Sequence, residues 1–148
     1  MPDTTAQQAR DGIATAYESY LAELKQAGSC WETKPAAAAE GEDAWCARQV
    51  AEHIGGGWGF FGTAIGGLIG VPCSTPAGVN LADAAAAVEF TQAGHAEFMK
   101  VAEQVQDQQL GLEVEHPALG KQTTAGLLGI VVWHLNDHAA QLKTLRGG

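Results

Sequence analysis

The sequence predicts an all-α chain folded as a four-helix bundle. Apolar residues recur at helical spacing in four stretches, Gly- and Pro-marked segments separate those stretches, and none shows the alternation of a strand. The chain has 148 residues, the size of one domain (1–148), and its 46% apolar and 17% charged content fits a packed core.

The first helix runs from about Thr4 to Ala27. Thr4 with Gln7 three residues on is a capping-box pattern, and Ile13, Ala16, Tyr17, Tyr20, Leu21 and Leu24 form one apolar face. Gly28 supplies a stop. A loop from Ser29 to about Gly41 follows, with Pro35 and an alanine run.

The second helix starts near Glu42 or Asp43, acidic residues suited to a helix N-terminus. Its stripe is Cys46, Val50, His53 with Ile54, Gly57, Phe60 or Phe61, Ala64 and Leu68. Four glycines among residues 55 to 59 weaken it, at up to ~1 kcal/mol each, and leave room for a kink or a break. The segment Val71–Gly78 is a loop.

The third helix opens at Asn80 as N-cap, with Asp83 in its first turn, and runs to about Gln109 before Gly111. Its stripe is Leu81, Ala84, Val88, Thr91, His95, Phe98, Ala102 and Val105. The stretch from Gly111 to Lys121 is a connector in which His116, before Pro117, reads as an exposed loop residue. The fourth helix runs from Thr123 or Thr124 to about Leu145, with Leu127, Ile130, Val131, His134, His138 and Leu142 near one face.

Charge excludes some functions. Seventeen acidic against eight basic residues give a net charge of −9, with no basic patch to meet nucleic-acid phosphates or an anionic membrane. No stretch is long and apolar enough for a transmembrane helix, and the N-terminus lacks the basic and apolar regions of a signal peptide, so a cytoplasmic location is expected. Three cysteines without a Cys-x-x-Cys pair make no disulfide framework.

The chemistry lies in the histidines. His134 and His138 sit one helical turn apart and point the same way, a spacing that suits two imidazoles on one metal. The other reading is two neutral core histidines bonded to carbonyls or carboxylates of neighbouring helices. His53, inward-facing on the second helix, offers a third imidazole, and catalytic zinc commonly has three protein ligands with one open position. Leu135 stands where a His-Glu-x-x-His protease needs its Glu, which speaks against a metalloprotease.

The stretch Trp45-Cys-Ala-Arg48-Gln-Val-Ala-Glu52-His53 and the run from Lys121 through Trp133-His134-Leu-Asn-Asp137-His138 to Gln141-Leu142 resemble the DinB/YfiT-like metalloenzyme superfamily. In that family a Trp lies eight residues before the first His, and His-x-x-x-His, often followed by Gln-Leu or Gln-Ile, lies on the fourth helix. The resemblance covers about a third of the chain. It implies an up-down-down-up four-helix bundle and a mononuclear divalent metal held by His53, His134 and His138, with zinc first and nickel next. It also implies a homodimer in many members, and transfer or isomerisation chemistry that uses mycothiol, bacillithiol or a related thiol such as glutathione together with an electrophile.

The glycine cluster after His53 is denser than the family leads one to expect. Gly56 and Gly57 lie one turn beyond His53, where they either open room for a substrate or allow close helix packing. Gln49 and Gln141 lie one turn from His53 and His138 as ligand-orienting or substrate contacts. Tyr17 and Tyr20 can bring hydroxyls toward the pocket, and His95 either lines it or is a hydrogen-bonded core histidine.

Cys46 shares the face of His53 but lies about 10 Å along the helix axis, too far for one metal, and reads as a small buried hydrophobe. Cys30 and Cys73 are loop cysteines with no evident activating neighbour. Trp45 and Trp133 read as packing anchors, Asp137 as solvated, and Arg48 as an ion-pair partner for an acidic residue.

Three functions compete at this level: a metal-dependent thiol transferase or isomerase, with metal-dependent hydrolysis nearby; a non-catalytic metal or small-ligand-binding dimeric bundle; and a metal-free dimerising bundle with hydrogen-bonded core histidines. An open coordination position beside a pocket favours the enzyme, and a closed site with a fourth protein ligand favours a structural role.

Overall fold

A computed structural model describes residues 5–35, 40–74 and 81–147. Helix α1 spans Ala6–Lys25. Thr5 caps it: Thr5 Oγ1 accepts from Gln8 N at 3.1 Å, and Gln8 Oε1 accepts from Thr5 N at 2.9 Å. The capping box therefore sits one residue later than the Thr4–Gln7 pattern, and Thr4 itself lies outside the described residues. The buried face holds the six predicted residues from Ile13 to Leu24. Gly28 is not the stop; it lies in a separate 3₁₀ turn, Ala27–Cys30.

Helix α2 spans Ala47–Ile69, and Glu42 and Asp43 fall in a 3₁₀ turn before it, Gly41–Ala44. The helix begins late because Trp45 is extended and Cys46 is the N-cap, its backbone N–H donating to Gln49 Oε1 at 3.0 Å. Cys46 is buried, as expected, but it precedes the helix rather than sharing the His53 stripe. The glycine cluster does not break α2, which runs without interruption from Ala47 to Ile69. A Cβ at Gly55 would strike the Phe90 ring, one at Gly62 the Cys73 thiol, and one at Gly66 the Val71 carbonyl. These glycines thus permit close packing that offsets their poor helix propensity. Gly70, at φ +77°, ends the helix in the left-handed conformation that glycine adopts without steric penalty.

Helix α3 spans Ala84–Ala102, capped by Asp83, whose Oδ1 accepts from Ala86 N at 2.8 Å. The expected N-cap Asn80 lies outside the described residues. The helix ends before Gln109, and Arg10 of α1 donates to the carbonyls of Ala102 and Val105, both at 3.0 Å, securing that end. A 3₁₀ turn follows at Asp107–Gln109.

The predicted connector contains an antiparallel hairpin, β1 Glu113–His116 and β2 Gly120–Thr123, with Val114 opposite Gln122 and His116 opposite Gly120. His116 is half-buried, not a free loop residue, and its Nδ1 accepts from Ala118 N at 3.0 Å and Leu119 N at 3.3 Å. Helix α4 spans Thr124–Leu145, as predicted, with Thr123 Oγ1 accepting from Gly126 N at 2.9 Å.

The extensive helix contacts are α1 with α4, α2 with α3, α2 with α4 and α1 with α3, a closed ring around one core. Tyr20, Phe98, Ile13, Leu24, Ile65, Leu127 and Leu142 fill it. The α2–α4 contact carries the histidines. Among the described residues, no helix is long and apolar enough to cross a membrane.

Candidate metal centre

His134 and His138 occupy successive turns of α4, and His53 faces them from α2. One ring nitrogen from each lies within 4.8 Å of the other two. The Nε2 atoms of His53 and His134 stand 2.8 Å apart. Two such nitrogens facing each other can share only one proton, and a cation is the other way to engage both lone pairs.

His138 is 1% exposed. Its Nδ1 lies 2.7 Å from Gln141 Oε1, so Nδ1–H donates to the amide and Nε2 keeps its lone pair. Gln141 is itself held, its Nε2 donating to the Glu42 carbonyl at 2.6 Å. The buried His138 Nε2 has no hydrogen-bond partner among the described residues. A buried orphan nitrogen costs free energy, and a metal relieves it. Trp45 lies nearly parallel to the His138 ring, 14° apart, and its centroid is 5.1 Å from that of His53, so it packs against two of the three histidines.

Burial lowers the pKa of His53, with the neighbouring His138 as a second cause. Burial likewise lowers His134 to about 4, helped by His138 and His53. Both rings are therefore neutral at pH 7, the form in which imidazole ligates a metal. The donor set, the orphan nitrogen and the protonation states fit a divalent ion held by His53, His134 and His138.

A cavity of about 590 Å³ opens onto His53 and His134. Gly56, Gly57, Phe60 and Phe61 line it from α2, Ile130 and Trp133 from α4, and Leu119 from the hairpin turn, with Glu42 and Glu52 also on its wall. Among the described residues outside the helix's own backbone, nothing lies within 4 Å of the position a Gly56 Cβ would take, and a Gly57 Cβ would meet His134 Cε1 at 3.9 Å. The glycines of α2 thus divide by face: Gly55, Gly62 and Gly66 serve packing, while Gly56 and Gly57 leave the cavity open.

The remaining candidates lie elsewhere. Gln49 caps α2 and accepts from Lys34 Nζ at 3.1 Å, outside the cavity. Gln141 orients His138 from behind rather than lining the cavity. Tyr17 stacks on His95 with centroids 3.7 Å apart, and both touch the Trp58 ring. Tyr20 is fully buried and its hydroxyl has no hydrogen-bond partner among the described residues. Neither tyrosine nor His95 reaches the cavity wall. Burial raises the Cys30 and Cys73 thiols, which leaves them protonated and poorly nucleophilic. Arg48 pairs with Glu52 at 3.0 Å and with Glu32 at 3.4 Å, the structural role expected of it.

Sequence reasoning named His53, His134, Gly56 and Gly57 but not the other residues of the cavity wall, of which Trp133 and Glu42 are the most informative. Trp133, taken for a packing anchor, is 64% exposed on the cavity rim. It sits one position before His134 and so points about 100° away from the ligand face, a signal that was available. Glu42, read as a helix-start residue, brings Oε1 to 3.7 Å from His138 Nε2. Only the fold of the turn before α2 reveals that approach.

The profile of the DinB superfamily matches residues 5–142, and the chain belongs to that superfamily. Comparisons with curated proteins and with solved structures gave no match.

Proposed function

We propose that this chain is a divalent-metal-dependent enzyme, a thiol-dependent S-transferase or isomerase, with His53, His134 and His138 as the metal ligands. The observation that carries the reading is the cavity of about 590 Å³ that opens directly onto His53 and His134. An open approach of this size suits substrate access better than a purely structural ion would need. A divalent ion on three neutral imidazoles keeps its full charge and lowers the pKa of a bound thiol or water toward neutrality.

The protein's own residues contribute position and space. Gln141 fixes the ring of His138 so that its Nε2 faces inward. Trp45 packs against His138 and His53 and restricts their tilt. Gly56 and Gly57 keep the approach clear, and Phe60, Phe61 and Ile130 provide apolar wall. The reaction joins the thiol sulfur to an electrophilic carbon as the thiol proton passes to solvent. In transfer the leaving group departs with its bonding electrons; in isomerisation the sulfur adds to an unsaturated carbon and is later expelled.

Zinc is the first choice of metal and nickel the second. Mycothiol, bacillithiol and glutathione are the co-substrates to try, and a cytoplasmic homodimer of this single domain completes the reading. Conjugation of each thiol to a chromogenic electrophile by the metal-loaded protein tests it. Turnover that requires both metal and thiol supports the proposal. Hydrolysis of activated esters without thiol would favour the hydrolase alternative, and metal binding without either reaction would favour a binding module.

A further inference from the structure

Three histidines do not account for the mouth of the cavity. Trp133 is 64% and Phe60 42% exposed, one on α4 and one on α2, and both line the same opening. Leu119 and Ile130 extend that apolar rim. Large apolar side chains gathered at a concave opening mark a ligand surface rather than ordinary surface scatter.

Charge narrows the class of ligand. The wall contains Glu42 and Glu52, and among the described residues no Lys or Arg lines it. Glu52 is committed: it pairs with Arg48 at 3.0 Å, and its Oε2 accepts from Leu81 N at 3.1 Å. The Glu42 carboxylate stays on the wall, 54% exposed. A ligand carboxylate or phosphate held at the rim, away from the three histidines, would meet that like charge with no Lys or Arg among the described wall residues to offset it.

We infer that the cavity selects a small molecule with a flat aromatic or alicyclic body and no anionic group, flanked by Trp133 and Phe60. This deepens the enzyme reading and rests on it for the role of the molecule, which is the electrophilic partner of the thiol. The volume is that of a drug-sized ligand rather than a single water.

Two fluorescent probes with one skeleton test the inference. N-phenyl-1-naphthylamine is uncharged, and 1-anilinonaphthalene-8-sulfonate adds one anion. Each is titrated into the full-length chain as purified and again after chelation, so that a bound ion does not recruit the sulfonate unnoticed. The uncharged probe should bind one per chain, and the sulfonate about tenfold more weakly in the chelated protein. Trp133→Ala and Phe60→Ala should each weaken the uncharged probe by about threefold or more. Ile130→Lys, which adds the missing cation to the rim, should recover sulfonate binding; general repulsion by the protein's net negative charge would not be relieved so locally.

Equal or tighter sulfonate binding to the chelated wild type would overturn the inference. So would uncharged-probe affinity unaffected by both aromatic substitutions. A dimer that covers Trp133, excludes the probe and dissociates on Trp133→Ala would replace the small molecule with a second copy of the chain. His138→Ala separates this inference from the metal reading, because His138 lies off the cavity wall. Unchanged metal content in that variant counts against the metal site alone, whereas failed probe selectivity with the metal intact counts against the ligand class alone.

Discussion

His138 Nδ1 and Gln141 Oε1 lie 2.7 Å apart on adjacent turns of α4, and the same amide holds the Glu42 carbonyl through its nitrogen. One glutamine thereby fixes the orientation of a buried imidazole and ties the turn before α2 to α4. Partners of this kind raise ligand basicity and keep the ring in place.

Removing that partner should weaken metal binding without unfolding the chain. Gln141→Ala is expected to lower divalent-metal affinity by about 10–100-fold, measured by competition with a chromogenic chelator. Gln141→Glu keeps an acceptor for Nδ1–H but loses the donor to the Glu42 carbonyl, and should lose less affinity than Gln141→Ala. Wild-type affinity in Gln141→Ala would show that the hydrogen bond does not support the site.

The glycines of α2 should respond according to the face they occupy. Gly66→Ala places a methyl against the Val71 backbone carbonyl, which cannot swing aside, and should cost about 1–3 kcal/mol by urea denaturation. Gly56→Ala meets nothing and should be stabilising by about 0.5–1 kcal/mol. Equal effects at the two positions would contradict the division between packing and cavity.

Gly57→Leu should fill the cavity beside His134 while leaving the three ligands in place, since its Cβ would stand 3.9 Å from His134 Cε1. Metal content should remain at the wild-type level and thiol-dependent turnover should fall at least about tenfold. Full turnover in that variant would place the substrate somewhere else.

The metal-free protein should lose stability in mild acid. His134 has its folded pKa lowered from the ordinary 6.5 to about 4, and that of His53 is lowered as well. Between those values the unfolded chain takes up protons that the folded chain does not, so stability is fully present above about pH 6.5 and declines toward pH 4. Urea midpoints of the chelated protein across this range should show the decline, and His134→Gln should flatten part of it. Identical slopes for the two proteins would mean that His134 is not held neutral by the fold.

Much of the fold was legible because helical periodicity repeats over many turns. The face of α1 was set by Ile13 to Leu24 and the structure follows it; on α4 it buries Leu127, Val131, His138 and Leu142 of the expected stripe, leaves Ile130 and His134 half-buried at the cavity, and also buries Leu128, Leu135 and Ala139. The start of α2 was not, because Cys46 is a weak N-cap by type and the cap depends on Gln49 reaching back to its N–H. The hairpin escaped because each strand has only four residues, too few for alternation to register.

Within the site, spacing alone brought His134 and His138 to one face. The place of His53 opposite them rested on its position in the α2 stripe. The rim formed by Phe60, Leu119 and Trp133 joins three distant stretches of chain; helical spacing places Trp133 off the ligand face, but no local pattern brings the three together. Tyr17 and Tyr20 were pocket candidates because they face inward, and His95 was read as either pocket or core; the bundle interior also holds the separate Tyr17–His95–Trp58 stack, which places His95 in the core.

The central claim is that His53, His134 and His138 hold one divalent ion. Its most direct test is metal analysis of the purified wild type beside His53→Ala, His134→Ala and His138→Ala, each checked for helical content. The account predicts close to one ion per chain in the wild type and less than about 0.1 in each folded variant. Stoichiometric metal that persists after any one of the three substitutions would contradict it.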